Sequence, residues 1–226
     1  QLERHVLGPP LHRPPGEHGT PTGRCVIVVT PDAERTMNTF LGVSSELCVS
    51  DLDEQVVADS HVLYMEGYLF DRDDAKAAFR RAAEVAHENG RMVSLTLSDS
   101  FCVDRHRDDF RALVQDRVDL LFGNHDELLS LYQLDSFDDA VAALRDECEF
   151  AAITVGADGC VIVTPDALLR VPAMPVERVI DTTGAGDLFA AGFLHGLTSG
   201  RDLETCGRYG AVAAADRCRR PHRVVV

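Results

Sequence analysis

A chain of 226 residues is long enough for one substantial hydrophobic core, and its formal net charge of −15 argues against a nucleic-acid surface, since a phosphate backbone is bound chiefly through basic residues. No long apolar run and no charged leader followed by an apolar stretch is present, so the expectation is a soluble, cytoplasmic protein without a membrane span. Its seven cysteines are odd in number, widely spaced and without a C-x-x-C pair, which reads as reduced, mostly buried thiols and excludes a disulfide frame or zinc site.

Residues 1–21 hold prolines, histidines, arginines and glycines without apolar periodicity and read as an irregular arm. Residues 24–30 are a β-branched run, residues 31–34 turn the chain, and residues 35–41 alternate well enough to return as a partner strand. The hairpin over residues 22–42 fits an ordinary sheet edge and a small lid equally well on pattern alone. Ser50 is expected to cap a short helix through Ala58, and residues 61–65 read as a buried strand ending at Glu66-Gly67-Tyr68. Strand, glycine, then loop is how ligand crevices form at the carboxyl ends of parallel sheets.

Asp71 or Asp73 opens a helix with apolar positions Ala75, Ala78, Phe79, Ala82, Ala83 and Ala86, closing at Asn89-Gly90. Lys76 is placed on its solvated outer face. It is the only lysine in the chain, which excludes a G-x-x-x-x-G-K-[ST] phosphate loop and the lysine-dependent protein-kinase signature. Residues 91–97 form the next strand, Asp104 is expected to cap a helix to about Asp116, and residues 118–122 form another strand. Its exit, Gly123-Asn124-His125-Asp126-Glu127, satisfies a capping box with Asn124 at the cap. The same Asn-x-x-Glu at a strand end also suits Mg²⁺-bound water and nucleotide phosphates, because Mg²⁺ prefers hard oxygen ligands. His125 reads as a surface residue. Ser136 caps a helix to about Cys148, and residues 150–155 and 160–164 form a hairpin around Gly156-Ala157-Asp158-Gly159. Residues 168–171 and 179–180 supply the last short strands, a helix runs from Gly186 to about Ser199, Gly200 stops it, and Asp202 starts the final helix. Residues 217–226 read as an irregular basic tail.

The densest chemistry lies at Asp181-Thr182-Thr183-Gly184-Ala185-Gly186-Asp187, where small residues open an apolar helix. Helix-initial N–H groups lack intrahelical partners and the helix dipole adds about half a positive charge there, so the N–H groups of Gly184, Ala185 and Gly186 can receive an anion without a lysine. Asp187 is unfavourable beside an anion unless a proton must be taken from a hydroxyl next to a phosphate. The plainer alternative is that Asp181 or Thr182 caps the helix, the glycines make a tight entry and Asp187 complements the dipole.

This seven-residue string, followed by an apolar helix, resembles the C-terminal signature of the ribokinase-like, or PfkB, family of carbohydrate and nucleoside kinases. The hairpin, with Thr22-Gly23-Arg24-Cys25 and the stretch from Thr30 to Thr39, resembles bacterial adenosine-kinase-type members and favours the lid. The resemblance implies a three-layer α/β/α ribokinase-like domain over residues 43–216, with a mostly parallel sheet and a partial β lid. It implies that Asp187 is the base and Gly184, Ala185 and Gly186 the anion hole. Asn124, Thr154, Gly156, Gly159 and Thr183 become nucleotide contacts, Glu127 a Mg²⁺ ligand through water, and Asp181 with Thr183 a K⁺ site. The implied activity is ATP-dependent phosphoryl transfer to a primary alcohol of a sugar or ribonucleoside, with adenosine ahead of ribose or another pentose or ketose. In such a kinase a glycine-containing substrate motif precedes the lid, and residues 1–21 do not match it. Two alternatives therefore stay open: a truncated, nucleotide-binding but inactive protein, and a nucleotide-binding regulator that forms a homodimer through the lid.

Overall fold

The structure, a computed structural model, describes residues 19–30, 32 and 35–220. Most of the arm read over residues 1–21, most of the turn at 31–34 and the end of the tail lie outside the described residues. Strands β1 (Thr22–Val29) and β2 (Arg35–Gly42) pair antiparallel as a separate two-stranded sheet, with Val26 opposite Asn38.

The main sheet has the order β3 (Val62–Glu66), β4 (Met92–Thr96), β5 (Leu120–Asn124), β6 (Phe150–Thr154), β7 (Cys160–Val163), β8 (Leu168–Val171). The first four strands run parallel and the last two joins are antiparallel. The alternation of a strand's side chains between its two faces explains the layering. Leu121, Ala151, Ile153, Val161 and Val163 face one core, which they share with Phe79, Phe110, Leu128 and Leu144. That core is covered by α2 (Asp73–Glu88), α3 (Ser100–Arg117), α4 (His125–Tyr132) and α5 (Phe137–Arg145), α2 being preceded by the short α1 (Glu54–Asp59). The intervening Leu120, Phe122, Ala152, Cys160 and Ile162 face a second core with Phe189, Phe193 and Cys206, from α6 (Ala185–Thr198) and α7 (Leu203–Cys218). Two helical layers on one mostly parallel sheet make the expected three-layer α/β/α architecture. Among the described residues no helix is long and apolar enough to cross a membrane.

Several local expectations change. Asp53 caps α1 by accepting from the Gln55 and Val56 N–H groups, whereas Ser50 lies in a 3₁₀ turn closed by Cys48 N–H donating to Asp51. Asp99 caps α3 at Cys102 N–H, 2.7 Å away, so that helix starts ahead of Asp104, whose carboxylate instead accepts from Ser130 Oγ at 2.8 Å. Lys76 is not solvated: its side chain is 12% exposed and Nζ lies 2.6 Å from Asp109 on α3. Residues 179–180 form no strand; they belong to a stretch from 172 to 182 in neither helix nor strand, where Ile180 N–H donates to Cys218 O. The final helix runs through Cys218, so Arg217 and Cys218 are helical rather than part of an irregular tail.

Phe193 is fully buried and meets Phe122 edge to face at 5.5 Å between ring centroids, joining α6 to β5. Phe193→Ala is expected to destabilise the fold by about 3–5 kcal/mol, read from urea midpoints. A change under about 1 kcal/mol would contradict this packing of α6.

Candidate functional site

The turn that starts α6 has the shape an anion site needs. Gly184, at the N-cap, has φ 76° and ψ 10°, a left-handed conformation that favours glycine, and no side chain caps the helix. Ala185 N–H is spent on Thr182 O at 3.0 Å, so it does not join the outward-pointing trio expected from the sequence. The N–H groups of Gly186 and Asp187 have no acceptor among the described residues, and the Asp187 side chain is exposed beside them.

These groups line a cleft of about 250 Å³ at the carboxyl ends of β3 to β6. Thr182, Thr183, Gly184, Gly186 and Asp187 form one wall; Asn124, Glu127 and Thr154 come from the ends of β5 and β6 and the start of α4. Four residues proposed from sequence do not line it: Asp181, Ala185, Gly156 and Gly159. Gly159 has a packing reason to be glycine, because a Cβ there would lie 2.1 Å from Val171 O. Gly156 is exposed at the same turn, with nothing within 4 Å of a Cβ.

Asn124 and Glu127 form a complete capping box. Asn124 Oδ1 accepts from Glu127 N–H at 2.9 Å, while the Glu127 carboxylate accepts from Asn124 N–H at 2.9 Å and from Asn124 Nδ2 at 2.7 Å. Burial pushes the Glu127 carboxyl up to about 7; the Asn124 N–H opposes this, and the charges of Asp99, Asp126 and Glu66 add to it. The structural and functional readings are thus compatible: the box fixes the carboxylate, and the carboxylate still faces the cleft. His125 stays outside it, paired with Asp126 and stacked on Phe137.

Sequence reasoning missed a second acidic corner. Ser98, a non-glycine residue at φ 73°, donates from Oγ to Glu66, and that same oxygen accepts Gly67 N–H at 2.8 Å. A strained backbone held between Glu66 and Gly67 marks a built feature of the cleft. Burial raises the Glu66 carboxyl, Ser98 opposes that, and the charge of Asp187 raises it further. From the hairpin, Arg35 Nη1 donates to Thr182 Oγ1 at 2.8 Å, bringing a positive charge into the cleft. Glu66 ends a strand already read as leading into a crevice, but its hydrogen bond to Ser98 and the arrival of Arg35 appear only when the chain folds.

Behind the turn, Asp181 is 1% exposed. One carboxylate oxygen accepts Thr183 N–H at 2.8 Å and the other accepts Arg217 Nη2 at 2.8 Å. Burial alone would raise this carboxyl, but the Thr183 N–H and the Arg217 guanidinium outweigh it and hold it well below the usual carboxylate range. A K⁺ ion beside Asp181 would have to face that guanidinium. The residues present therefore do not suit the monovalent cation expected from sequence, although Thr183 Oγ1 is buried without a hydrogen-bond partner among the described residues. No group of three or more His, Cys, Asp or Glu side chains suited to a metal occurs among the described residues either.

The model of the pfkB family of carbohydrate kinases matches residues 15–222. The chain belongs to that family. A solved adenosine kinase from Sinorhizobium meliloti is 48% identical, with a TM-score of 0.87 over 90% of this chain and 64% of its own. An adenosine kinase from Schizosaccharomyces pombe is 26% identical over 82% of this chain and 59% of its own length. An uncharacterised sugar kinase from Archaeoglobus fulgidus is 26% identical over 86% of this chain and 75% of its own. The chain therefore spans roughly three fifths of the two adenosine kinases. The glycine turn and the Asn124–Glu127 box both lie inside the stretch matched by the pfkB model.

The raised Glu127 carboxyl has a measurable sign. The folded state keeps a proton that the unfolded chain releases, so the Glu127 contribution is fully favourable below about pH 4.5 and is lost as pH rises through about 7, by on the order of 3 kcal/mol. In nucleotide-free protein, Glu127→Gln should gain stability relative to the parent chain between about pH 5 and pH 8. A gap in urea midpoint that is the same at both pH values would refute the shift.

Proposed function

We propose that the protein transfers the γ-phosphoryl group of ATP to a primary hydroxyl of a nucleoside or sugar, with adenosine as the first acceptor and ribose or another pentose or ketose as the second. The observation that carries this reading is the pairing of the exposed Asp187 carboxylate with unspent N–H donors at the same helix start, inside the cleft. Asp187 takes the acceptor's proton as the new O–P bond forms. The N–H groups of Gly186 and Asp187, the positive end of α6 and Arg35 bear the charge that spreads over the phosphoryl oxygens. Thr154 and Thr183 line the same cleft and are read as contacts to the nucleotide, while Gly156 and Gly159 shape the loop after β6.

Asn124 and Glu127 suit Mg²⁺-bound water, because Glu127 presents a hard oxygen donor to the cleft and Mg²⁺ usually keeps several waters, so few protein ligands are needed. When bound with the nucleotide, the ion neutralises phosphate charge. The β1–β2 hairpin is read as the lid, since Arg35 and Met37 line the cleft. The identity to the S. meliloti adenosine kinase supports adenosine as acceptor. Seven free cysteines support a reducing, cytoplasmic setting.

A second reading is nucleotide binding without turnover by this stretch, which spans 59–64% of the adenosine kinases it matches. ADP release from Mg-ATP, with adenosine, ribose and fructose offered separately, decides between the two. Turnover with one acceptor is expected, and Asp187→Asn should lower it by about 10²- to 10⁴-fold with a smaller change in nucleotide affinity. ATP binding without turnover on any acceptor would establish the second reading, and unchanged turnover in Asp187→Asn would remove Asp187 as the base.

A further inference from the structure

The segment that delivers the chain from β8 to the glycine turn has no helix or strand of its own over residues 172–182, yet it is fastened at three points to the end of α7. Arg219 Nη2 donates to Pro175 O at 2.6 Å, Ile180 N–H donates to Cys218 O at 2.9 Å, and Arg217 Nη2 donates to Asp181 at 2.8 Å. The last is an ion pair between side chains only 14% and 2% exposed. Arg217 is held from its other side as well, through Nη1 to Arg220 O at 2.7 Å, and its Nε lies 3.9 Å from where a Cβ on Gly184 would stand. The guanidinium thus sits directly behind the turn. Its planar fork matches a carboxylate and loses little freedom on binding one.

We infer that Arg217 is a positioning residue whose tethered guanidinium takes the place of a bound monovalent cation at Asp181 and fixes the glycine turn whatever cation is in solution. The inference rests on the reading of that turn as a phosphate site. A carboxylate buried to this degree without a counter-charge would be strongly unfavourable, so removing the guanidinium should either loosen the turn or recruit an ion from solution.

Thermal unfolding and calorimetric Mg-ATP binding, in KCl, NaCl and choline chloride at equal ionic strength, test this without requiring turnover. The parent chain should give one midpoint and one affinity in all three salts. Arg217→Gln should lower the midpoint, weaken Mg-ATP binding by roughly tenfold in choline chloride, and recover part of both in KCl. Arg217→Lys, which keeps the charge and loses the fork, should fall between the two and show less response to K⁺. A parent midpoint or affinity that rises in KCl over choline chloride would overturn the inference, as would an Arg217→Gln variant that binds Mg-ATP like the parent in every salt. If Arg217→Gln does not fold, the parent's salt series and Arg217→Lys decide. A parent chain that binds no Mg-ATP in any salt would refute the phosphate site itself, while the salt response of the unfolding midpoint would still report on Arg217.

Discussion

An anion site made of backbone N–H groups works only if those groups are left with nothing else to bond while the chain around them is held still. At the start of α6 both conditions meet in a few residues. Gly184 takes a left-handed conformation and turns the chain, Ala185 spends its N–H on Thr182 O, and the next two N–H groups are left to face the cleft. The stiffness comes from below, where the buried Asp181 accepts Thr183 N–H and Arg217 together. A surface ion pair would add little stability, but a buried one with complete hydrogen bonding specifies one geometry.

The sheet supplies the opposite wall. Because β3 to β6 are parallel, their carboxyl ends lie on one side, and the strand-end residues Glu66, Asn124 and Thr154, with Ser98 just after β4, line the same cleft. The two cores behind them clamp that rim: Phe122 and Phe193 tie β5 to the helix whose start bears Asp187, while Leu121 and Leu128 bind the same strand to the opposite layer. Movement of α6 along the sheet would shift Asp187 against Glu127. The precision of the site therefore depends on ring packing that begins in the cleft wall itself, since Phe122 lines it.

What could be read in the sequence divides by locality. The turn at 181–187 and the Asn124–Glu127 box are contiguous, so their residue types reveal their place before the chain folds, although not that Ala185 spends its N–H on Thr182 O. The strands and helices follow from period and the three-layer order from the repeated strand, crevice loop and helix, whereas the division of β5, β6 and β7 between two cores appears only in the structure. Cap residues were harder, because Ser50 competes with Asp53 and Asp104 with Asp99, and the choice depends on where the chain enters the helix. Lys76 falls at the margin of its helix's apolar face, and only the arrival of α3 turns it from a solvated charge into an ion pair. Arg35, Glu66 and Arg217 reach the site from three elements far apart in sequence. Arg217 was hidden further by its composition: a basic stretch before a proline reads as a tail, yet its first residues complete the last helix.

The cleft also places acids against one another. Asp187, Glu66 and Glu127 share it, and both glutamates are pushed toward protonation by burial and by neighbouring carboxylates. Such crowding is costly in an empty cleft, and a polyphosphate would make it worse unless positive charge came with it. The hairpin brings Arg35 within reach of the turn, and Asn124 and Glu127, on the proposed reading, are the residues that would hold Mg²⁺-bound water. Arg217 cannot serve in that way, since its charge is already committed to Asp181. On the proposed reading the electrostatics separate two tasks, one positive charge buried behind the turn to hold its shape and others in the cleft to meet a nucleotide. A chain with a net charge of −15 can present a phosphate site because these positive charges and N–H dipoles are local and close, while most of the acidic excess lies on solvated faces.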